Sequence, residues 1–226
     1  MGQVRIFSRS SKPFTDRLEA GQLLAQELQE YRGSRTVVLG IPRGGVVIAS
    51  VIARALGAEV DIVLARKLGA PGNPEFAIGA IAEDQKLFLD EPLLARLTVT
   101  SEYLMEEKVS QLAELKRRIG LYRPVRPKVP LSGRTVIVTD DGVATGATMQ
   151  AALWTVRQEA PERLIAALPL GPVDTVKRLA AYTDELLCLR APAFFGAIGQ
   201  FYRRFEQVED DEVLAILKRA EETEAP

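Results

Sequence analysis

Asp140 and Asp141 stand side by side at the end of an apolar, β-branched run, and three small residues later Thr145-Gly146-Ala147-Thr148 follows. Two ionised carboxylates are acceptor-only groups and can take hydrogen bonds from a pair of vicinal sugar hydroxyls. The Thr-Gly-Ala-Thr run does different work. If it opens a helix, its free backbone N–H groups, two hydroxyls and the positive helix end converge on one point suited to a phosphate. The glycine permits close backbone approach. The other reading of the same residues is a strand, turn and helix in which Asp and Thr only cap the helix. No Gly-Lys pair is present, so the run is not a Walker phosphate loop.

Two further clusters carry cations. Ile41-Pro42-Arg43-Gly44-Gly45 joins an apolar run to a helical pattern, where backbone N–H groups and one guanidinium can face an anion; a tight turn with a solvated arginine is the plainer alternative. Arg66 and Lys67 lead into Leu68-Gly69-Ala70-Pro71-Gly72-Asn73-Pro74-Glu75, whose Gly, Pro and Asn residues predict an irregular, lid-like segment over Gly69–Glu75.

The elements that must position these groups alternate between strand and helix. Strands are expected at Thr36–Ile41, Val60–Ala65, Thr135–Val138, Arg163–Leu168 and Glu185–Leu189. Helices are expected at Phe14–Tyr31, Val46–Leu56 ended by Gly57, Glu102–Ile119, from the Thr-Gly-Ala-Thr run to about Glu159, Val173–Ala181 and Asp210–Glu222. Phe76–Ile81 and Lys86–Leu89 read as short strands around Glu83-Asp84. The pattern predicts an α/β fold with an open, mostly parallel sheet flanked by helices. One domain spanning 1–226 is expected, with its core over about 14–190 and a small Gly- and aromatic-rich hood and terminal helix over about 191–222. In such a sheet, ligands bind outside the strand carboxyl ends, which is where all three clusters fall.

Composition narrows the chemistry. The chain has 226 residues, 47% of them hydrophobic and 26% charged, enough for a substantial core. A net charge of -1 gives no electrostatic footprint for nucleic acid. The lone cysteine, Cys188, lies in the apolar run ELLCL and reads as a buried thiol; with no disulfide possible, a reducing cytoplasm is expected. No apolar run reaches membrane-spanning length. The chain has no histidine, so any catalysis must use carboxylates, Lys/Arg, hydroxyls, backbone groups or a metal.

The run RTVIVTDDGVATGATM resembles the 5-phosphoribosyl-1-pyrophosphate (PRPP) motif of the type I phosphoribosyltransferases: apolar strand, two acidic residues, three small residues, then Thr-Gly-x-Thr. The resemblance covers roughly residues 14–205. It implies ribose contacts for Asp140 and Asp141, 5-phosphate contacts for Ala144, Thr145, Gly146, Ala147 and Thr148, and pyrophosphate contacts for Arg43, Gly44 and Gly45. A non-proline cis peptide is common in that pyrophosphate loop. Adenine-type members carry a similar Arg-Lys ahead of a flexible loop bearing a glutamate. By analogy, Arg66 and Lys67 become pyrophosphate and catalytic residues, and Glu75, with Glu83 as second candidate, becomes the acid/base group. Members that act on 6-oxopurines have an aspartate where this chain has Ala144, so hypoxanthine and guanine are disfavoured.

In the hood, Arg190, Phe194 and Phe195 are the candidate base contacts, with Phe201 and Tyr202 beside them; core packing is the competing role for each aromatic. Mg²⁺ is implied as a cofactor held mainly through PRPP or pyrophosphate oxygens, with no dedicated protein site, and a homodimer is implied. The reaction so implied is transfer of the 5-phosphoribosyl group to a nucleobase or related nitrogen heterocycle. The alternative is a regulatory protein of the same fold that binds PRPP or a nucleotide without catalysis; the stretch before Thr36 is too short for a winged helix ahead of the expected first helix. An unrelated sugar-phosphate binder would account for the phosphate loop and leave Arg43, Arg66 and Lys67 unexplained.

Overall fold

Strands buried on both faces form the centre of the molecule, whose computed structural model describes residues 2–33 and 35–224. In chain order the elements are β1 (Gln3–Ser8), α1 (Arg17–Glu27), β2 (Thr36–Gly40), α2 (Gly44–Leu56), β3 (Glu59–Ile62), β4 (Ala65–Ala70), β5 (Asn73–Ala82), β6 (Leu87–Leu89), α3 (Glu91–Leu97), α4 (Ser101–Tyr122), β7 (Thr135–Thr139), α5 (Ala147–Arg157), β8 (Arg163–Leu170), α6 (Val173–Leu179), β9 (Glu185–Arg190) and α7 (Asp210–Glu224). The main sheet has the order β1-β9-β8-β7-β2-β3 with every neighbouring pair parallel, as an open α/β fold requires. A second, antiparallel sheet of β4, β5 and β6 branches off after β3.

The period of two along each strand divides the core between two layers. Val136 and Val138 face one layer with Val37, Leu39, Leu164 and Leu168, packed against Met149, Leu153 and Val156 of α5 and Val176 and Leu179 of α6. Ile137 faces the other with Val38, Ile165 and Leu187, against Leu24 of α1 and Ile48 and Ile52 of α2. A fully buried side chain of this size stabilises the fold by roughly 1.5–3 kcal/mol. A third cluster joins Val46 and Val47 of α2 to Leu68, Ile78 and Ile81 of the small sheet, Leu115 and Tyr122 of α4, and Val213 and Leu217 of α7.

The connection from β2 runs to β3 on one side, and the chain then returns to lay down β7, β8 and β9 on the other. The carboxyl ends of β2 and β7 therefore flank the topological switch point of the sheet, where a crevice must open.

Three elements depart from expectation. β1 is an edge strand whose QVRIFS sequence is only half-buried, so it lacks an apolar run and forms by pairing with β9. Helix α3 is a short element started by the Asp90 side chain, which accepts from Leu93 N–H, with Pro92 in its first turn. Most telling, the segment expected to be irregular is the β4–β5 hairpin, with Ala70 paired to Asn73 across Pro71-Gly72. Its Gly and Pro residues sit at the irregularities: the register shifts at Leu68–Gly69–Ala70, and a Cβ on Gly69 would lie 2.7 Å from Pro74 Cα.

Candidate active site

A cleft of about 610 Å³ opens at the switch point. Ile41–Gly44 after β2, Val63–Arg66 after β3, Asp140 and Asp141 after β7 and Thr148 of α5 line it, together with Arg17 of α1, Leu115 and Arg118 of α4, and the tail residues Phe205–Val208. Parts of the three sequence clusters thus meet, because parallel β2 and β7 deliver 41–44 and 140–141 to one edge and Arg66 follows on β4 just beyond β3, while Gly45, Lys67, Glu75 and Ala144–Ala147 do not line the cleft.

The two aspartates differ in their surroundings. Asp141 Oδ2 receives Arg17 Nε and Nη2, each at 2.9 Å. Asp140 Oδ1 accepts from the Asp141 backbone N–H at 2.8 Å. Burial, and then the neighbouring charge of Asp141, push the Asp140 carboxyl well above the usual carboxylate range. Burial also raises Asp141, against the opposing charge of Arg17. Gly44 is dictated by this packing, since a Cβ there would lie 1.9 Å from Asp141 Oδ2 and 3.0 Å from Arg17 Nε. The peptide between Pro42 and Arg43 is cis, in the loop where the resemblance anticipates one and one residue ahead of the Gly44-Gly45 pair.

The loop Ala144–Thr148 is held from behind. Thr175 Oγ1 donates to the Ala144 carbonyl at 2.9 Å, Arg178 donates to the Thr145 carbonyl, and Gly146 forms the N-cap of α5. Ala144, Thr145 and Thr148 are exposed, so their side chains and the helix end are open to an anion.

Strand geometry divides Arg66 from Lys67. Arg66 lines the cleft and its Nε donates to Gln111 Oε1 at 2.9 Å. Lys67, the next residue along the strand, pairs with Glu75 at 2.7 Å, and the other oxygen of Glu75 accepts from Thr145 Oγ1 at 3.3 Å. Glu75 is therefore a clasp between the hairpin and the phosphate-type loop. The hydrogen bond from Lys67 holds its carboxyl below the usual range. Arg43 approaches Glu209 and Asp210 only at 3.7 and 3.9 Å, which leaves its fork available. Glu83 is bound by Arg123 Nη2 at 2.8 Å, beside the buried Asp61, and does not line the cleft.

The tail residues are placed differently from the sequence expectation. Arg190 lies over the Phe14 ring at 3.6 Å and donates to the Lys12 carbonyl; Phe195 stacks on Phe201 at 5.1 Å; Phe194 is 92% exposed. None of these lines the cleft, where Phe205–Val208 stand instead. Tyr202 donates to the Asp141 carbonyl at 2.7 Å and stacks on Phe205 at 5.0 Å, and Phe205 supports Arg17 at 4.0 Å. The sequence gives no sign of Arg17 or Arg118, because each reaches the cleft from a helix outside any motif. Cys188 is buried, which pushes its thiol up to about 12, so it is inert as expected.

A family model for the phosphoribosyl transferase domain matches residues 16–206. The chain belongs to that family. Its sheet and flanking helices are those of the type I phosphoribosyltransferase fold. The phosphoribosyl transferase domain is 47% identical to TT1426 from Thermus thermophilus, whose crystal structure superposes with a TM-score of 0.86 over 92% of this chain and 98% of that one. It is also 44% identical, over 209 residues and 92% of its length, to Rv0571c of Mycobacterium tuberculosis strain H37Rv, a protein provisionally named a phosphoribosyl transferase. The chain spans 47% of that relative, about half its length. Among the described residues no helix is long and apolar enough to cross a membrane.

Proposed function

We propose that this phosphoribosyl transferase domain moves the 5-phosphoribosyl group of PRPP to a nitrogen heterocycle and releases pyrophosphate. The observation that carries the reading is the convergence, in one cleft, of paired carboxylates, an open helix N-terminus and guanidinium groups from separate strand ends. Asp140 and Asp141 hold the ribose hydroxyls, Ala144–Thr148 hold the 5-phosphate, Arg43, Gly44, Gly45 and Arg66 face the pyrophosphate, and Lys67, paired with Glu75 outside the cleft lining, would join them by releasing that carboxylate.

In the reaction an acceptor nitrogen bonds to C1 while the C1–O bond breaks, and pyrophosphate leaves with the electron pair. Arg43 and Arg66 stabilise the charge that develops on the leaving group. The aspartates place negative charge beside the oxocarbenium-like centre, and the fixed ends of the ribose phosphate hold it for in-line attack. Glu75, ionised beside Lys67 and tied to Thr145, is the carboxylate that would take the acceptor proton on leaving Lys67, whose hydrogen bond lowers its basicity. The oxygen-only donor set fits a hard cation: Mg²⁺ would be held through PRPP oxygens beside Asp140 and Asp141, and when bound it neutralises pyrophosphate charge. The acceptor lies against the tail at Phe205–Val208, in place of Arg190, Phe194 and Phe195. Ala144 offers no carboxylate to a 6-oxopurine. A cytoplasmic homodimer completes the reading.

Pyrophosphate release from PRPP and Mg²⁺ across a panel of nucleobases tests it. Turnover with adenine, uracil or another heterocycle ahead of hypoxanthine and guanine is the expected result. Preference for a 6-oxopurine contradicts the assignment of Ala144, and PRPP binding with no turnover on any acceptor favours a regulatory binder.

A further inference from the structure

Helix α4 packs Leu112, Leu115, Ile119 and Tyr122 into the third cluster. Beside that apolar stripe runs a polar row that meets the hairpin and the cleft. Glu107, Gln111, Glu114 and Arg118 recur at three- and four-residue spacing and so share one side of the helix. Glu107 accepts from Gly69 N–H at 3.1 Å, Gln111 accepts from Arg66 Nε at 2.9 Å, and Glu114 accepts from Arg118 Nε at 2.7 Å. The row ends in the cleft. There Arg118 Nη1 donates to the Pro42 carbonyl at 3.3 Å, immediately before Arg43.

Arg43, Arg66 and Arg118 consequently line the same cleft. Burial first, and then the charge of Arg118, pull the Arg66 guanidinium below its usual value. Glu114 compensates Arg66 together with Glu107, but is shared between Arg117 and Arg118, and these hold it down to about 2, Arg117 first; Glu209 and Asp210 approach Arg43 only at 3.7 and 3.9 Å. Like charges crowded in a partly buried site oppose one another unless an anion lies between them. A guanidinium presents a planar fork that matches paired phosphate oxygens, which an ammonium cannot reproduce.

We propose that Arg118 is a pyrophosphate-binding residue, brought to the cleft by α4 to complete the cationic lining formed by Arg43 and Arg66. The inference rests on the PRPP reading above and extends it to a residue outside the strand-end loops. Its function is specific to the pyrophosphate end, since its hydrogen bond goes to the Pro42 carbonyl beside Arg43.

Calorimetric titration of the full chain with magnesium pyrophosphate and, separately, with ribose 5-phosphate tests the assignment in R118A, R118K and the control K116A. R118A is expected to weaken pyrophosphate binding at least tenfold, R118K to recover part of that loss, and both to keep ribose 5-phosphate affinity within twofold. K116A, at an exposed lysine of the same helix, should change neither ligand. Pyrophosphate affinity within twofold of wild type in R118A, or equal losses of both ligands in R118A and R118K, overturns the role of Arg118 alone. Wild-type protein that binds no pyrophosphate overturns it together with the PRPP reading.

Discussion

Arg17 and Asp141 form the ion pair that ties the first helix to the floor of the cleft, with Nε and Nη2 both 2.9 Å from Oδ2. Arg17 is itself fixed by the tail: its Nη1 donates to the Glu206 carbonyl at 2.9 Å and its guanidinium lies 4.0 Å from the centre of the Phe205 ring. One arginine thus couples a ligand-facing carboxylate to the segment against which the acceptor is proposed to sit.

Replacing Arg17 by glutamine should shift the pH dependence of PRPP binding. The aspartates must be ionised to accept from both ribose hydroxyls, and burial raises both carboxyls while Arg17 opposes that rise. Affinity in wild type is therefore expected to climb as pH rises through their raised values. Without Arg17 this acid limb moves to higher pH. Dissociation constants measured across pH for wild type and R17Q check it, and superimposable limbs would remove Arg17 from control of the pair.

Asp140→Asn should stabilise the fold while impairing ligand binding. The native pKa of Asp140 lies above its unfolded value, so the stability tied to its protonated form is full below the unfolded pKa and lost as pH rises through the native one. At neutral pH the buried charge is a cost that asparagine removes, and its amide oxygen can still accept the Asp141 N–H. Melting temperature should rise by roughly 2–4 °C for each kcal/mol gained. The gain over wild type should grow from acid to neutral pH; a loss of stability at neutral pH would contradict this account.

Hydrogen exchange should separate the base of the β4–β5 hairpin from its tip. Arg66–Gly69 and Ala77–Ile81 are laddered and should be protected in the free protein, while the amides of Gly72, Asn73 and Glu75 at the tip should exchange faster and slow on addition of PRPP. Uniform protection to the tip would exclude closure. Glu75→Gln should cut turnover on the order of 10²-fold if the carboxylate takes the acceptor proton; unchanged turnover would reduce Glu75 to its bridge between Lys67 and Thr145.

Alanine at Arg43, Arg66 or Lys67 should weaken binding of pyrophosphate far more than that of ribose 5-phosphate. Arg43 follows one strand and the other two lie on the hairpin, and the proposed function assigns all three to the anion at one end of PRPP. Comparable losses for the two ligands in calorimetry would move the substituted residue out of the pyrophosphate site.

Local signals made much of this site legible. The β-branched run before Asp140 is a buried strand, Gly57 ends α2 in the left-handed region at φ 60, and the acidic and small-residue loops fall at strand ends because the sheet is parallel. What escaped the sequence depends on distant partners. Arg17 and Arg118 are ordinary helix residues until packing aims them at Asp141 and Pro42. The Gly and Pro residues of the hairpin mark its turn and bulge, which a local reading cannot distinguish from an irregular loop. The tail aromatics are ambiguous in sequence because packing and stacking draw on the same residues, and here Phe195 stacks on Phe201 while Phe205 reaches the cleft.

Calorimetry of PRPP with Mg²⁺ on wild type and on the double variant Asp140→Asn with Asp141→Asn tests the central claim most directly. Wild type should bind, and the double variant should lose at least about 1–3 kcal/mol, the scale of hydrogen bonds to charged groups. Equal affinity in the two proteins, or no binding by wild type, would contradict the assignment of this cleft to PRPP.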